Sequence, residues 1–340
     1  MKKTVLTDWK KLEVLDEELP EIGEEEALIK LIYAGICGTD VHIYLHNHKS
    51  ATIPRVLGHE YCGVIEKINS KRFPELKAGD YVTSHPLNNC GRCVPCLTGN
   101  ENVCESLEIY GIHADGCFAE YFKVPVQKII KIDPKVKPEI AAMIEPLAVA
   151  VHDVRLSGLK RGDNAFVISA GPIGLLIGIV AKMCGANNVV LSEMNEYRIA
   201  FAKELGFTVL NPAQEGFEKK LKEASGGHGF DVVFEASGSK AGAELMTKVA
   251  AQRGMIVVVG VPKDPYPVDT GAFLAQELRM TGVRIHPQYD FDKAVEIVNK
   301  GTINDKLEKM VTHIFALQDI EEAIRFSIED QEHFKVLLKP

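Results

Sequence analysis

The spacing of apolar residues changes character along the chain. Up to about residue 145 they occur in short runs, EALIKLIYAG, EYCGVIEKI, DYVTSH and CFAEYFKV, bounded by Gly, Pro or Asp and rich in β-branched and aromatic side chains. Runs of this kind predict strands joined by turns. From about residue 164 apolar strands alternate with amphipathic stretches. NAFVIS, NVVLS, TVLN, DVVFEAS and MIVVVG are strand-like, and IGLLIGIVAKM, EYRIAFAKEL, FEKKLKEA and AGAELMTKVAA read as helices between them. Buried parallel strands linked by helices follow from that order.

After QELRMTGV, read as the last strand of that sheet, come two helix-like runs, DFDKAVEIVNK and DIEEAIRFSIED, and a terminal FKVLLK. This tail is short for a core of its own and is expected to pack on the first domain. The expected division is a β-rich domain over 1–147, an α/β domain over 148–284, and a segment over 285–340 that completes the first. No internal repeat is visible.

Composition narrows the class of partner. A chain of 340 residues suits two domains, and 46% hydrophobic with 25% charged residues is ordinary for a globular protein. A formal net charge of −8 disfavours nucleic acid, which needs a concentrated basic surface. The N-terminal MKKTVLTDWKKLEVLDEELP scatters charges where a signal peptide needs an apolar run, and IGLLIGIVAKM is interrupted at Lys182 before it could span a bilayer. The expectation is a cytoplasmic protein with no membrane partner.

Eight cysteines in such a chain suit metal ligands or free thiols better than disulfides. NNCGRCVPCLTGNENVC, within a loop over 88–105, sets out Cys90, Cys93, Cys96 and Cys104 as C-x2-C-x2-C-x7-C. Four thiolates in a Gly/Pro/Asn-rich loop suit a tetrahedral zinc, and four protein ligands leave no open position, so the site is structural. An iron–sulfur cluster is the competing reading; ferredoxin-type runs continue with x3 and Cys-Pro, whereas seven residues intervene here and Glu105 follows. A nucleic-acid-binding zinc ribbon would want basic neighbours, and Arg92 is the only one inside the array.

A second set is dispersed. GICGTDVH supplies Cys37, Thr39, Asp40 and His42, VLGHEYCGVI supplies His59 and Glu60, and IEPLAVAVH supplies Glu145. Singly each has a plain structural use: Cys37 as a small buried hydrophobe, Asp40 as a turn or helix cap, Glu145 as an acid favouring a helix dipole. Together they offer sulfur, imidazole nitrogen and carboxylate oxygen, a set that leaves zinc one open position for water or an alcohol.

AFVISAGPIGLL reads as a strand, a glycine turn and a helix start. Gly171 lets backbone approach a pyrophosphate and Gly174 allows close helix–strand packing. Ser169 occupies the position of the first fingerprint glycine. Nineteen residues after Gly174 comes Glu193, a carboxylate that can accept from both ribose hydroxyls and repel a 2′-phosphate, which favours NAD over NADP; Arg198, close by, keeps NADP open.

Cys37-Gly-Thr39-Asp40-x-His42, Gly58-His59-Glu60, the four-Cys loop, Glu145-Pro146 and Ala170-Gly171-Pro172-Ile173-Gly174 appear in this order. Over nearly the whole chain they resemble the zinc-dependent medium-chain dehydrogenases, in the branch of sorbitol (polyol), threonine and butanediol dehydrogenases. The resemblance implies a GroES-like catalytic domain with an inserted Rossmann domain, a doubly wound parallel sheet that binds NAD. It implies a catalytic zinc held by Cys37 and His59 and completed, directly or through water, by Glu60 and Glu145. It assigns Asp40 to orienting the His59 ring, Thr39 to taking the proton of a zinc-bound alcohol and His42 to passing it to solvent. Gly171, Pro172, Ile173, Gly174, Glu193 and Arg198 form the matching cofactor set, and a homo-oligomer, tetramer or dimer, is expected.

The expected chemistry is reversible oxidation of a secondary alcohol to a ketone, with the hydride passing to nicotinamide. Glu145 in EPLAVAVH resembles the polyol branch, so a polyol or sugar acid comes first, while CGTDVHIY and GCFAEY keep L-threonine 3-dehydrogenase, and with it 2,3-butanediol dehydrogenase, open. His113, Arg284 and His286 are candidates to line the substrate pocket. A non-catalytic zinc- and NAD-binding protein gains nothing from an open metal position, and zinc-independent quinone reductases of the same superfamily normally lack both metal sets.

Overall fold

A computed structural model describes residues 1–46 and 48–340. The chain folds as two compact units, one made of Met1–Glu145 with Pro287–Pro340 and the other of Pro146–His286.

The first unit is built on a seven-stranded sheet. Its central strand, Glu26–Gly35, pairs antiparallel with Glu60–Asn69 along one edge. The other edge is shared: Tyr121–Pro125 pairs with residues 26–30, and Lys335–Lys339 pairs at Ala34 and Gly35. Gly35 therefore has Glu60 as its ladder partner on one side and Leu337 on the other. The C-terminal segment thus contributes strands to the first sheet. Its strand is buried at all positions but the last, so apolar side chains are needed on both faces.

Several elements of this unit escape the periodicity reading. Lys2–Asp8 and Lys11–Asp16 form a separate antiparallel hairpin whose second strand buries only one residue. A helix over Asn304–Met310 runs straight into a strand over Val311–Ala316. With no turn residue between them, neither the helical nor the strand period lasts long enough to register. The four-cysteine loop is closed at its base by a two-residue ladder, Leu87 against Ile109 and Asn88 against Glu108.

The second unit holds a six-stranded sheet, every pair parallel. The strands lie in the order Thr208–Leu210, Asn188–Ser192, Asn164–Ile168, Phe230–Glu235, Ala250–Val258, Arg279–Gly282. This is the doubly wound dinucleotide-binding order, with its switch point beside the strand Asn164–Ile168. The near-continuous burial of Asn164–Ile168 and Asn188–Ser192 explains why these segments lack alternation. Phe166 and Phe230, ring centroids 4.9 Å apart, anchor a core with Val190, Val233 and Ile256. The helix expected over AGAELMTKVAA stops at Val249, and Ala250 already belongs to the next strand. Among the described residues no helix is long and apolar enough to cross a membrane.

Candidate active site

The metal candidates of the first unit converge on the end of its central strand. Cys37 follows the strand Glu26–Gly35 and serves as N-cap of the helix Gly38–Tyr44. His59 and Glu60 enter the neighbouring strand from the opposite direction. The two ligand-bearing segments are tied by Asp40, which is fully buried: its Oδ2 accepts the N–H of Cys37 at 2.9 Å and its Oδ1 accepts the N–H of Gly58 at 3.1 Å. A carboxylate taking two backbone donors fixes both loops at once.

The sulfur of Cys37, a ring nitrogen of His59 and a carboxylate oxygen of Glu60 lie within 4.8 Å of one another. His59 and Glu60 are buried, and His59 Nδ1 has no hydrogen-bond partner. Asp40 therefore acts on the ring through its charge, its own bonds going to backbone. Burial alone would lower the His59 pKa, but the Cys37 sulfur and the Asp40 and Glu145 carboxylates overcome it and hold the imidazole well above its ordinary value. Burial pushes Glu60 up against the pull of Lys335, and the nearby Glu145 adds to the rise. A soft sulfur, an imidazole and crowded carboxylates around one point, with an unpaired buried nitrogen among them, fit a divalent cation and suit zinc. Glu145, also buried, lies outside the 4.8 Å group while its charge acts on both His59 and Glu60.

Lys335 is the partner that sequence reasoning missed. Its side chain is 5% exposed, and its Nζ donates to Glu60 Oε2 at 2.5 Å and to the Ile36 carbonyl at 3.2 Å. A lysine opening a strand buried on both faces signals that some carboxylate must meet it. The partner lies 275 residues away in sequence, and no local pattern identifies it. Thr39 and His42 sit three residues apart on the helix Gly38–Tyr44, and so on neighbouring surface positions, Thr39 half-buried and His42 exposed.

The second cysteine set is also assembled. Cys90, Cys93, Cys96 and Cys104 are free thiols, with their sulfurs within 4.8 Å of one another. Cys90 and Cys96 are 3.9 Å apart, Cys93 and Cys96 3.4 Å, and Cys93 and Cys104 3.8 Å. A tetrahedron with zinc–sulfur bonds of about 2.3 Å has edges of about 3.8 Å, so the four sulfurs already outline one. Backbone N–H groups of Cys90 and Cys93 donate to Cys104 and Cys90, each at 3.4 Å. Donors of this kind pull the Cys90 thiol down to about 6, toward the thiolate that a metal needs.

In the second unit the strand Asn164–Ile168 turns through Ser169, Ala170 and Gly171 into the helix Pro172–Met183, with Gly171 as N-cap and Pro172 first in the helix. Ser169 takes the glycine conformation, φ 99°, and its Oγ accepts the Gly171 N–H at 3.1 Å. A β-carbon on Gly174 would stand 2.2 Å from the Ser169 carbonyl oxygen, so the helix packs against the turn only because residue 174 has none. Glu193 follows the adjacent strand; its Oε2 accepts from Ala170 N at 3.0 Å and its Oε1 from Met194 N and Asn195 N at 2.8 and 3.1 Å. Arg198 lies in the next helix, its Nη1 3.7 Å from where a Gly171 β-carbon would be. Ser169 and Glu193 line a cavity of about 290 Å³ with Ser192, Ser237, Ser239 and Phe217. The two serines after the fourth strand escaped the sequence reading because they lie outside the glycine motif.

Of the three pocket candidates, His113 bridges two segments: Nδ1 accepts the Ile109 N–H of its own loop at 3.1 Å and Nε2 faces Ser50 Oγ, far off in sequence, at 3.1 Å. Arg284 is exposed, and His286 is fully buried.

Residues 23–134 match the family model of the alcohol dehydrogenase GroES-like domain, and residues 172–300 match that of the zinc-binding dehydrogenases. The chain is 36% identical to 2-dehydro-3-deoxy-L-galactonate 5-dehydrogenase of Pseudoalteromonas atlantica, over 94% of this chain and 92% of that one. It is 37% identical to L-threonine 3-dehydrogenase of Bacillus velezensis, over 89% and 88%. An alcohol dehydrogenase from Escherichia coli CFT073, complexed with NADH, superposes with a TM-score of 0.93 at 31% identity, covering 100% of this chain and 99% of the other. A zinc-binding dehydrogenase from Sinorhizobium meliloti 1021, bound to NADP, gives 0.92 at 31% with the same coverage. Domain composition, sheet order and the paired metal-ligand sets agree with these likenesses: the chain is an enzyme of the zinc-dependent medium-chain dehydrogenase family, with a GroES-like and a Rossmann fold.

Proposed function

We propose that this enzyme reversibly oxidises a secondary alcohol of a sugar acid or polyol to the ketone, with NAD as hydride acceptor. The observation that carries the reading is the buried group of Cys37, His59 and Glu60, three ligand types with a position left open on the ion they would hold. When bound there, zinc supplies Lewis acidity toward the alcohol oxygen. Cys37 and His59 anchor the ion, Glu60 and Glu145 complete its surroundings directly or through water, and Asp40 fixes the loops that present them. Thr39 receives the hydroxyl proton and His42, exposed on the same short helix, delivers it to solvent. Cys90, Cys93, Cys96 and Cys104 hold the structural zinc.

For the cofactor, Gly171, Pro172, Ile173 and Gly174 present the helix N-terminus to the pyrophosphate, and Glu193 accepts from the adenosine ribose. A carboxylate at that position supports NAD, while the Arg198 guanidinium beside Gly171 is the group an added phosphate would meet. Among substrates, the relative named for a deoxygalactonate supports a sugar acid. The relative named for L-threonine, at 37% identity against 36%, supports the second reading, an amino alcohol. NADH formation measured with a panel of aldonates, polyols, L-threonine and 2,3-butanediol tests both: turnover on an aldonate or polyol at least tenfold above threonine is expected, and the reverse order overturns the first reading.

The same reading includes assembly into a tetramer or dimer and a cytoplasmic setting. The sheet of the second unit ends in the strand Arg279–Gly282, where Met280 is exposed, and Leu274 just before it is 86% exposed. An open strand edge beside exposed apolar side chains is what a second copy would cover. Eight free thiols suit a reducing compartment.

A further inference from the structure

A half-buried lysine reaches the four-cysteine loop through one amide. Lys128 closes the short helical turn Val126–Lys128, where its carbonyl accepts the His85 N–H at 3.0 Å, and its Nζ donates to Asn89 Oδ1 at 2.8 Å. The other end of that amide, Nδ2, donates to Cys96 Sγ at 3.6 Å. Cys90 and Cys104 take donors from the loop's own backbone. Cys96 takes, besides a donor from the Gly91 backbone, one from a side chain that something else must orient.

An asparagine amide can turn either its oxygen or its nitrogen toward a neighbour. An ammonium group has three N–H bonds and no lone pair, so only the amide oxygen fits against Lys128. That leaves the NH2 group as the face turned to Cys96, which is the useful one, because a thiolate can only accept. We propose that Lys128 is a positioning residue of the structural metal site: it locks the Asn89 amide with its donor on the Cys96 thiolate, and together the two residues determine how firmly the loop retains zinc. The inference rests on the reading of this loop as a zinc site and adds two residues outside the ligand set, in the way that hydrogen-bonded outer groups tune metal affinity elsewhere.

The test is zinc release from the holoenzyme challenged with a chromophoric chelator, with iodoacetamide alkylation mapped by mass spectrometry to the peptide carrying Cys90 to Cys104. Cys62 and Cys117, both buried, serve as the control for unfolding, since they stay unmodified while the fold is intact. Asn89→Leu and Lys128→Met should each release the loop zinc about tenfold faster or more, while Lys128→Arg, still a donor without an acceptor, stays within about twofold of wild type. Because the lysine acts through the amide, the double variant should be no faster than Asn89→Leu. Release within about twofold of wild type for either single variant, equal speed for the Arg and Met variants, or multiplying effects in the double variant would each overturn the proposal. A wild-type loop without zinc overturns the metal reading itself and this proposal with it; a zinc-loaded wild type with any of those three results overturns this proposal alone.

Discussion

The Glu60 carboxylate occupies the space that a side chain on Gly35 would need: a β-carbon there would stand 2.1 Å from Glu60 Oε2. The two residues are ladder partners, and the vacancy at Gly35 lets the carboxylate reach Lys335 on the strand beyond. Gly35→Ala should therefore push Glu60 off Lys335. Breaking a buried pair of this kind costs about 3–5 kcal/mol. Denaturant unfolding should show that loss, together with reduced zinc content at the catalytic site; a variant as stable and as fully metallated as wild type would contradict the placement of Glu60.

Lys335→Met tests the same pair from the other end. Without metal it leaves Glu60 buried beside Glu145 with no nearby lysine, so the metal-free protein should lose about 3–5 kcal/mol. With zinc bound, the ion itself balances the carboxylates, so the loss should be markedly smaller. The check is the unfolding midpoint of wild type and variant, each with and without metal. An equal loss in both states would mean that Lys335 serves packing alone.

At the nucleotide turn two substitutions should differ in their effect. Gly174→Ala drives a methyl group against the Ser169 carbonyl, which is backbone and cannot swing aside. It should cost about 1–3 kcal/mol of stability and weaken NAD binding at least about tenfold by calorimetry. Ser169→Gly relieves a left-handed conformation worth about 1–2 kcal/mol but loses the bond from Gly171 N–H, about 1 kcal/mol, and some chain entropy, so stability should move by less than about 1 kcal/mol. A large loss of NAD affinity in Ser169→Gly would show that the serine hydroxyl touches the cofactor.

Glu193 accepts three backbone N–H groups while lining the cavity of the second unit. On the proposed reading, Glu193→Ala removes both the ribose acceptor and the charge that repels a 2′-phosphate. The ratio of kcat/KM for NAD over NADP should fall by about tenfold or more. An unchanged ratio would move the choice of cofactor to other residues, Arg198 first.

Spacing made the sites legible where it was local. Four cysteines inside fifteen residues, and a glycine turn between an apolar strand and helix, announce their geometry because the chain between ligands is too short to do much else. Cys37, His59 and Glu60 lie at the ends of two strands that meet only through the sheet register, and the resemblance to a known family, more than any local pattern, grouped them. Lys335, buried, and Lys128, half-buried, stayed hidden because a lysine drawn out of solvent needs a partner without saying where it lies. The second strand of the N-terminal hairpin and the strand Val311–Ala316 were hidden for a different reason: they are little buried, and without burial the alternation fades.

The central claim is a metal ion held by Cys37 and His59 in the first unit. Crystals of freshly purified enzyme, measured on either side of the zinc absorption edge, test it most directly. Two anomalous peaks per chain are expected, one among the four cysteines and one at the Cys37, His59 and Glu60 group, the second disappearing in Cys37→Ser together with turnover while NAD still binds. A single peak at the four cysteines in fully active enzyme would contradict the account.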